Sequence, residues 1–141
     1  MKLFSSLLLV FSLILVISCA ATLKQNEIDP WLNARSGGQP AQINITGRWH
    51  DALDIGAFGW GEGNLQQQGN QVSGTIGNYN VQGIVSGKTV YLVFLYRDSV
   101  YYTARLEMSQ GLLTGNYFKG NDKGQTQGYP MSIARTVGTT R

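Results

Sequence analysis

The sequence predicts an all-β protein, a single antiparallel up-and-down barrel of eight strands, and three observations carry that expectation. First, Ile43–Thr136 divides into about eight short segments separated by Gly, Asn and Asp, with no convincing helical run among them; that spacing marks short strands and tight turns. Second, charged residues are only 13% of the chain, Gly occupies 18 of 141 positions and Pro three, which suits an exported β-rich protein more than a helical cytosolic enzyme. The apolar share of 43% is that of a folded chain. Third, Lys88–Met108 reads as two adjacent strands joined at Arg97-Asp98-Ser99. Eight sequential strands with short turns can close into a barrel, and closure removes the exposed edges of a flat meander. A two-sheet β-sandwich has the same strand count and is the alternative.

The strands follow in order. Ile43–His50 aligns Ile43, Ile45, Gly47 and Trp49 on one face. A glycine-rich segment, Phe58–Gly63, leads into Gly63–Gln68, which turns at Gly69-Asn70 into Gln71–Gly77. Asn78-Tyr79-Asn80 either turns or runs on into Val81–Val85, and Ser86-Gly87 turns into the central pair. In that pair Val90–Tyr96 is apolar or aromatic on both faces, which predicts a second covering such as a partner subunit. Its neighbour alternates: Val100, Tyr102, Ala104, Leu106 and Met108 face one way, Tyr101, Thr103, Arg105 and Glu107 the other. Gln110-Gly111 turns into Leu112–Phe118, a tip-like loop follows at Lys119–Gly124, and Gly128–Thr136 is the last strand.

Ahead of the domain, Met1-Lys2 and the apolar run Leu3–Ile17 have the anatomy of a secretory signal. The run ends in Val16-Ile17-Ser18-Cys19, which resembles the bacterial lipobox. The resemblance implies cleavage before Cys19, diacylglycerol on its thiol and an acylated amino terminus; Ala20 after it resembles the default for outer-membrane sorting. An ordinary signal cut after Cys19-Ala20 is the competing reading. Cys19 is the single cysteine of the chain, so no internal disulfide forms. Residues 20–42 lack periodicity, contain Ser36-Gly37-Gly38-Gln39-Pro40, and are expected to form a flexible tether, spanning on the order of 25–30 Å as a random coil. Trp31 in that stretch is expected at the bilayer interface or docked on the domain. The expected organisation is thus signal 1–18, lipidated cysteine and tether 19–42, barrel 43–136 and tail 137–141.

Ile45-Thr46-Gly47-Arg48-Trp49 resembles the first strand of avidin-like barrels, and its Gly-x-Trp resembles the opening of lipocalins. Val72-Ser73-Gly74-Thr75 and Leu113-Thr114-Gly115-Asn116-Tyr117 have the same flavour. The resemblance implies a tryptophan, Trp49, plugging the closed end of the barrel with Arg135 of the last strand packed over it. It does not imply biotin: Trp31, Trp49 and Trp60 are the three tryptophans and all precede residue 61, whereas avidins hold biotin with tryptophans of later strands. Asp51 and Asp54 are the wrong group for a ureido oxygen.

The chemistry of the side chains argues against catalysis. The single histidine, His50, is adjacent to Asp51, so on a strand the two point apart. No paired His or Cys spacing for zinc occurs, and neither cofactor nor metal is expected. Asp51, Asp54 and Glu62 are the acids that a carboxylate hydrolase or calcium reading would need, and solvated loop acids are the simpler account. The net charge of +3 includes Lys2, and the basic residues are scattered, which excludes nucleic acid as a partner. Two binding expectations remain. One is an outer aromatic interface of Tyr91, Val93, Leu95 and Tyr101 for a second copy or an envelope protein. The other is a small apolar ligand entering the barrel near Trp60, set against an interior already filled by Phe94, Tyr96, Tyr102, Leu106 and Tyr117. The expected protein is a membrane-anchored module of the bacterial envelope, in the periplasm or at the cell surface, that binds or serves structurally.

Overall fold

The computed structural model describes residues 22–53, 59–122 and 128–138. Cys19 and the rest of the leader, and Asp54, lie outside the described residues. The eight strands are β1 (Gly47–Asp51), β2 (Glu62–Gln68), β3 (Gln71–Ile76), β4 (Tyr79–Ser86), β5 (Thr89–Tyr96), β6 (Ser99–Ser109), β7 (Leu112–Lys119) and β8 (Tyr129–Arg135). Each pairs antiparallel with the next, and β8 pairs back onto β1 through Trp49↔Arg135, His50↔Ala134 and Asp51↔Ile133. The sheet is therefore a closed up-and-down barrel, and the sandwich alternative is excluded.

Strand parity decides what lies inside. Val81, Leu92, Phe94, Leu106, Leu113, Met131 and Ile133 are buried on one another along the axis, so the interior is filled by the chain's own side chains. Trp49 is 1% exposed at one end of this core. Its indole Nε1–H donates to the Ile45 carbonyl at 2.9 Å, and the Arg135 guanidinium lies 4.7 Å from the ring centroid. The same guanidinium donates to the carbonyls of Thr46 at 2.6 Å and Asn44 at 2.7 Å. It thereby fixes the segment before β1 across the end of the barrel. Gln67 completes the seal, accepting from Ile45 N–H and donating to the Ile43 carbonyl, each at 2.9 Å. Sequence alternation extended the first strand back to Ile43; in the structure Ile45 is buried but residues before Gly47 are held by side chains instead of a ladder.

The expected flexible tether is corrected. Gln25–Glu27 forms a 3₁₀ turn and Ile28–Ser36 an α-helix, α1, whose contacts are with β4 and β5 on the outside of the barrel. Pro30 sits in the first turn, where its missing N–H costs nothing, and Gly37 ends the helix with φ +65°. Leu23, Ile28 and Leu32 bury against Ile84, Val93, Leu95 and Val100, with Trp31 and Tyr91 at the margin. The covering that the two-sided apolar strand β5 demanded is this helix, not a partner subunit.

A second departure lies in β6. Phe94 pairs with Tyr102 but Leu95 pairs with Val100, so Tyr101 is an extra residue in a β-bulge. The bulge reverses parity beyond it. Val100, expected inside with Tyr102, joins the outer cluster under α1.

Candidate functional site: the aromatic mouth

The turns β3–β4 and β5–β6 lie at the end of the barrel opposite Trp49, together with residues 51–53, 59–61 and 119–122. Trp60 fills the centre of this end. Its ring centroid is 4.9 Å from Phe94, 4.9 Å from Tyr117, 5.5 Å from Tyr102 and 6.2 Å from Tyr79. Asp51 sets its position, the carboxylate accepting from Trp60 N–H at 2.7 Å and from Leu53 N–H at 3.0 Å. The flanking glycines are required by close approach. A Cβ at Gly59 would collide with the Asp51 carboxylate, and one at Gly77, where φ is +55°, would collide with the Trp60 carbonyl.

A second tier of tyrosines surrounds this plug. Tyr96 and Tyr101 meet at 5.7 Å, each within 6.4 Å of Tyr79, and Tyr129 lies 5.4 Å from Tyr117. Tyr96, Tyr101 and Tyr129 are 37%, 47% and 48% exposed, and they are most of the large exposed hydrophobic side chains among the described residues. Beside Trp60, a cup of about 400 Å³ opens between Gly59, Gly77, Asn78, Tyr79, Tyr102 and Tyr117. Burial pushes the Tyr79 and Tyr117 hydroxyls above the usual tyrosine range, with the neighbouring Tyr102 adding to both shifts. Tyr79 and Tyr117 therefore present neutral phenols to the mouth.

The sequence-derived candidates sort differently here. Trp60 is at the mouth, as its glycine-rich setting suggested. Val93 is fully buried and Leu95 is 3% exposed beneath α1, so the expected outer interface over Tyr91, Val93 and Leu95 is corrected: that surface is interior to the fold. Tyr91 borders a small pocket of about 50 Å³ with Trp31, Arg35 and Thr103. Tyr101, expected on the same outer face, is carried by the bulge to the rim of the mouth. Tyr96, expected as interior filling, also stands at the rim. Alternation alone missed this ring, because the one-residue bulge that assembles it is not a feature of periodicity.

The acids and the histidine have structural partners. Asp51 holds the Trp60 loop, and Glu62 forms an exposed ion pair with Arg48 at 3.4 Å. His50 Nδ1 lies 3.0 Å from Thr136 Oγ1 at the surface. Among the described residues no group of three or more His, Cys, Asp or Glu side chains converges as a metal site. In comparison with known proteins, the chain matches no family model, no curated protein and no solved structure.

Proposed function

We propose that the protein is a lipid-anchored lipoprotein of the bacterial envelope that works as a non-catalytic binding module, with the aromatic mouth as its contact surface. The lipobox-like Val16-Ile17-Ser18-Cys19 supports the anchor, and Ala20 supports outer-membrane sorting. The observation that carries the binding site is the ring of exposed Tyr96, Tyr101 and Tyr129 around the Trp60 cup. Tyrosine and tryptophan combine a large apolar area with a polar tip, which is the composition of surfaces that bind. Asp51 and Glu62 are engaged in holding the loop and an ion pair, which speaks for binding over a carboxylate hydrolase. A carrier of a small apolar ligand is the second reading, favoured by the 400 Å³ volume of the cup, within the range of small-molecule sites of about 300–1,000 Å³.

The anchor is tested by mass spectrometry of the detergent-extracted protein. The expected mature chain begins at Cys19 and carries acyl mass that Cys19→Ser abolishes. A wild-type chain without acyl mass would overturn the reading. Native mass spectrometry of the Cys19→Ser protein addresses the second reading, because a co-purified small molecule lost on Trp60→Phe would identify a carrier.

A further inference from the structure

We infer that the aromatic mouth is the face turned toward the lipid surface that holds Cys19, with Trp60 and the rim tyrosines at headgroup level. The inference rests on the lipid-anchor reading and adds an orientation to it. The reason is chain length. Thr22 borders the groove formed by Tyr101, Tyr102, Lys119 and Gly120, and Leu23 N–H donates to the Gly120 carbonyl at 3.2 Å. The described chain therefore begins at the mouth. Cys19 lies three residues before Thr22, and three extended residues reach at most about 11 Å.

No slack is available further along. The chain leaves the mouth along the outside of the barrel as α1, and at the other end the Ser86 hydroxyl donates to the Ser36 carbonyl. Gln42 N–H donates to Gly87 O there at 2.9 Å, and Asn70 Nδ2–H donates to Gln39 O at 2.8 Å. Residues 23–42 are thus bound to the barrel along its length instead of serving as spacer. An acylated Cys19 is held close to the Tyr101–Gly120 edge, and the Trp49 end points away from the lipid.

The surface brought down in this way has suitable chemistry. Amphipathic Trp and Tyr side chains concentrate at the boundary between hydrocarbon and water. Among the described residues charge at this end is mixed, Arg97 and Lys119 alongside Asp98 and Asp122, so the rings and not attraction to anionic lipid make the contact. Several acyl chains on Cys19 already make detachment negligible. What the rings determine is therefore which way the barrel faces, not whether it stays.

The test uses the full-length lipidated protein in phosphatidylcholine vesicles whose acyl chains are brominated near the headgroup. Tryptophan emission is compared between wild type and Trp60→Phe, so that the difference isolates Trp60. The expected result is loss of most of the Trp60-dependent emission on passing from unbrominated to brominated vesicles. A second measurement needs no substitution in the mouth: nitration of Tyr96 and Tyr101 should fall several-fold relative to Cys19→Ser protein in solution, while half-buried Tyr91 on the barrel wall keeps its rate. An acylated protein with unquenched Trp60 overturns the inference and leaves the anchor standing. Protection of the tyrosines without quenching also overturns it, by placing a second copy or another protein on the mouth. A chain shown by mass to lack acyl groups removes both readings.

Discussion

At the scale of single residues, the barrel is differentiated by two tryptophans in opposite settings. Trp49 is sealed by its own strand's approach, by Ile45 and by the guanidinium of Arg135. Trp49→Ala should lower the unfolding free energy by about 3–5 kcal/mol as a large buried truncation; urea denaturation reads this directly, and a loss under about 1 kcal/mol would contradict the sealed-end geometry. Trp60 instead sits among rings of which Tyr79, Tyr102 and Tyr117 are partly exposed, and two of these have shifted titrations. Tyr79 and Tyr117 hold their protons more tightly in the folded protein than in the unfolded chain. Their contribution is therefore fully present below the ordinary tyrosine range, near pH 10, and is lost as pH rises through the raised folded values, because the unfolded chain ionises first. Thermal unfolding followed between pH 8.5 and 11.5 (roughly spanning that range) should show a steeper alkaline loss in wild type than in Tyr79→Phe/Tyr117→Phe. Equal slopes would mean that burial does not perturb these phenols.

At the scale of elements, α1 is the least expected part of the structure and the one on which the outer wall depends. Leu32 is 5% exposed against the β4–β5 face. Leu32→Ala should cost about 2–5 kcal/mol, and size-exclusion chromatography should show the variant associating once the helix no longer covers Val93 and Leu95. A stable monomer would mean that this face tolerates water. The eight strands were legible because their period-2 alternation and turn residues lie close together, as in Gln71–Ile76 between Gly69-Asn70 and Gly77-Asn78. The helix was obscured by its two turns and its polar composition. Its signals were nevertheless present: Ile28, Trp31 and Leu32 at i, i+3 and i+4, Pro30 in the first turn and Gly37 after the last. The two-sided apolarity of β5 was read rightly as a demand for cover. The cover came from far earlier in the same chain, Leu32 packing in one cluster with Val93, and no local pattern connects the two.

At the scale of the whole molecule, the barrel has a polarity. One end is closed by backbone held to Arg135 and Gln67, and the other is finished by rings around Trp60. The closed end was legible from Gly47-Arg48-Trp49 and the parity of Arg135, whereas half of the mouth depended on the bulge at Tyr101. Pairing of β1 with β8 also bears on how the chain is made. Trp49 meets Arg135, and His50 meets Thr136 across 86 residues, so the strand pairing most distant in sequence is the one that completes the hydrogen-bonded ring. A chain delivered from its amino terminus cannot form that pairing until β8 has arrived, and loop closure over such a span is slow. Until then β1 lacks its β8 partner, whereas β4 and β5, the strands that α1 covers, are already present. Barrel closure is thereby deferred until the last strand is delivered, and a polypeptide stopped short of Tyr129 would retain two unpaired sheet edges, the feature that templates aggregation of an unfinished β protein.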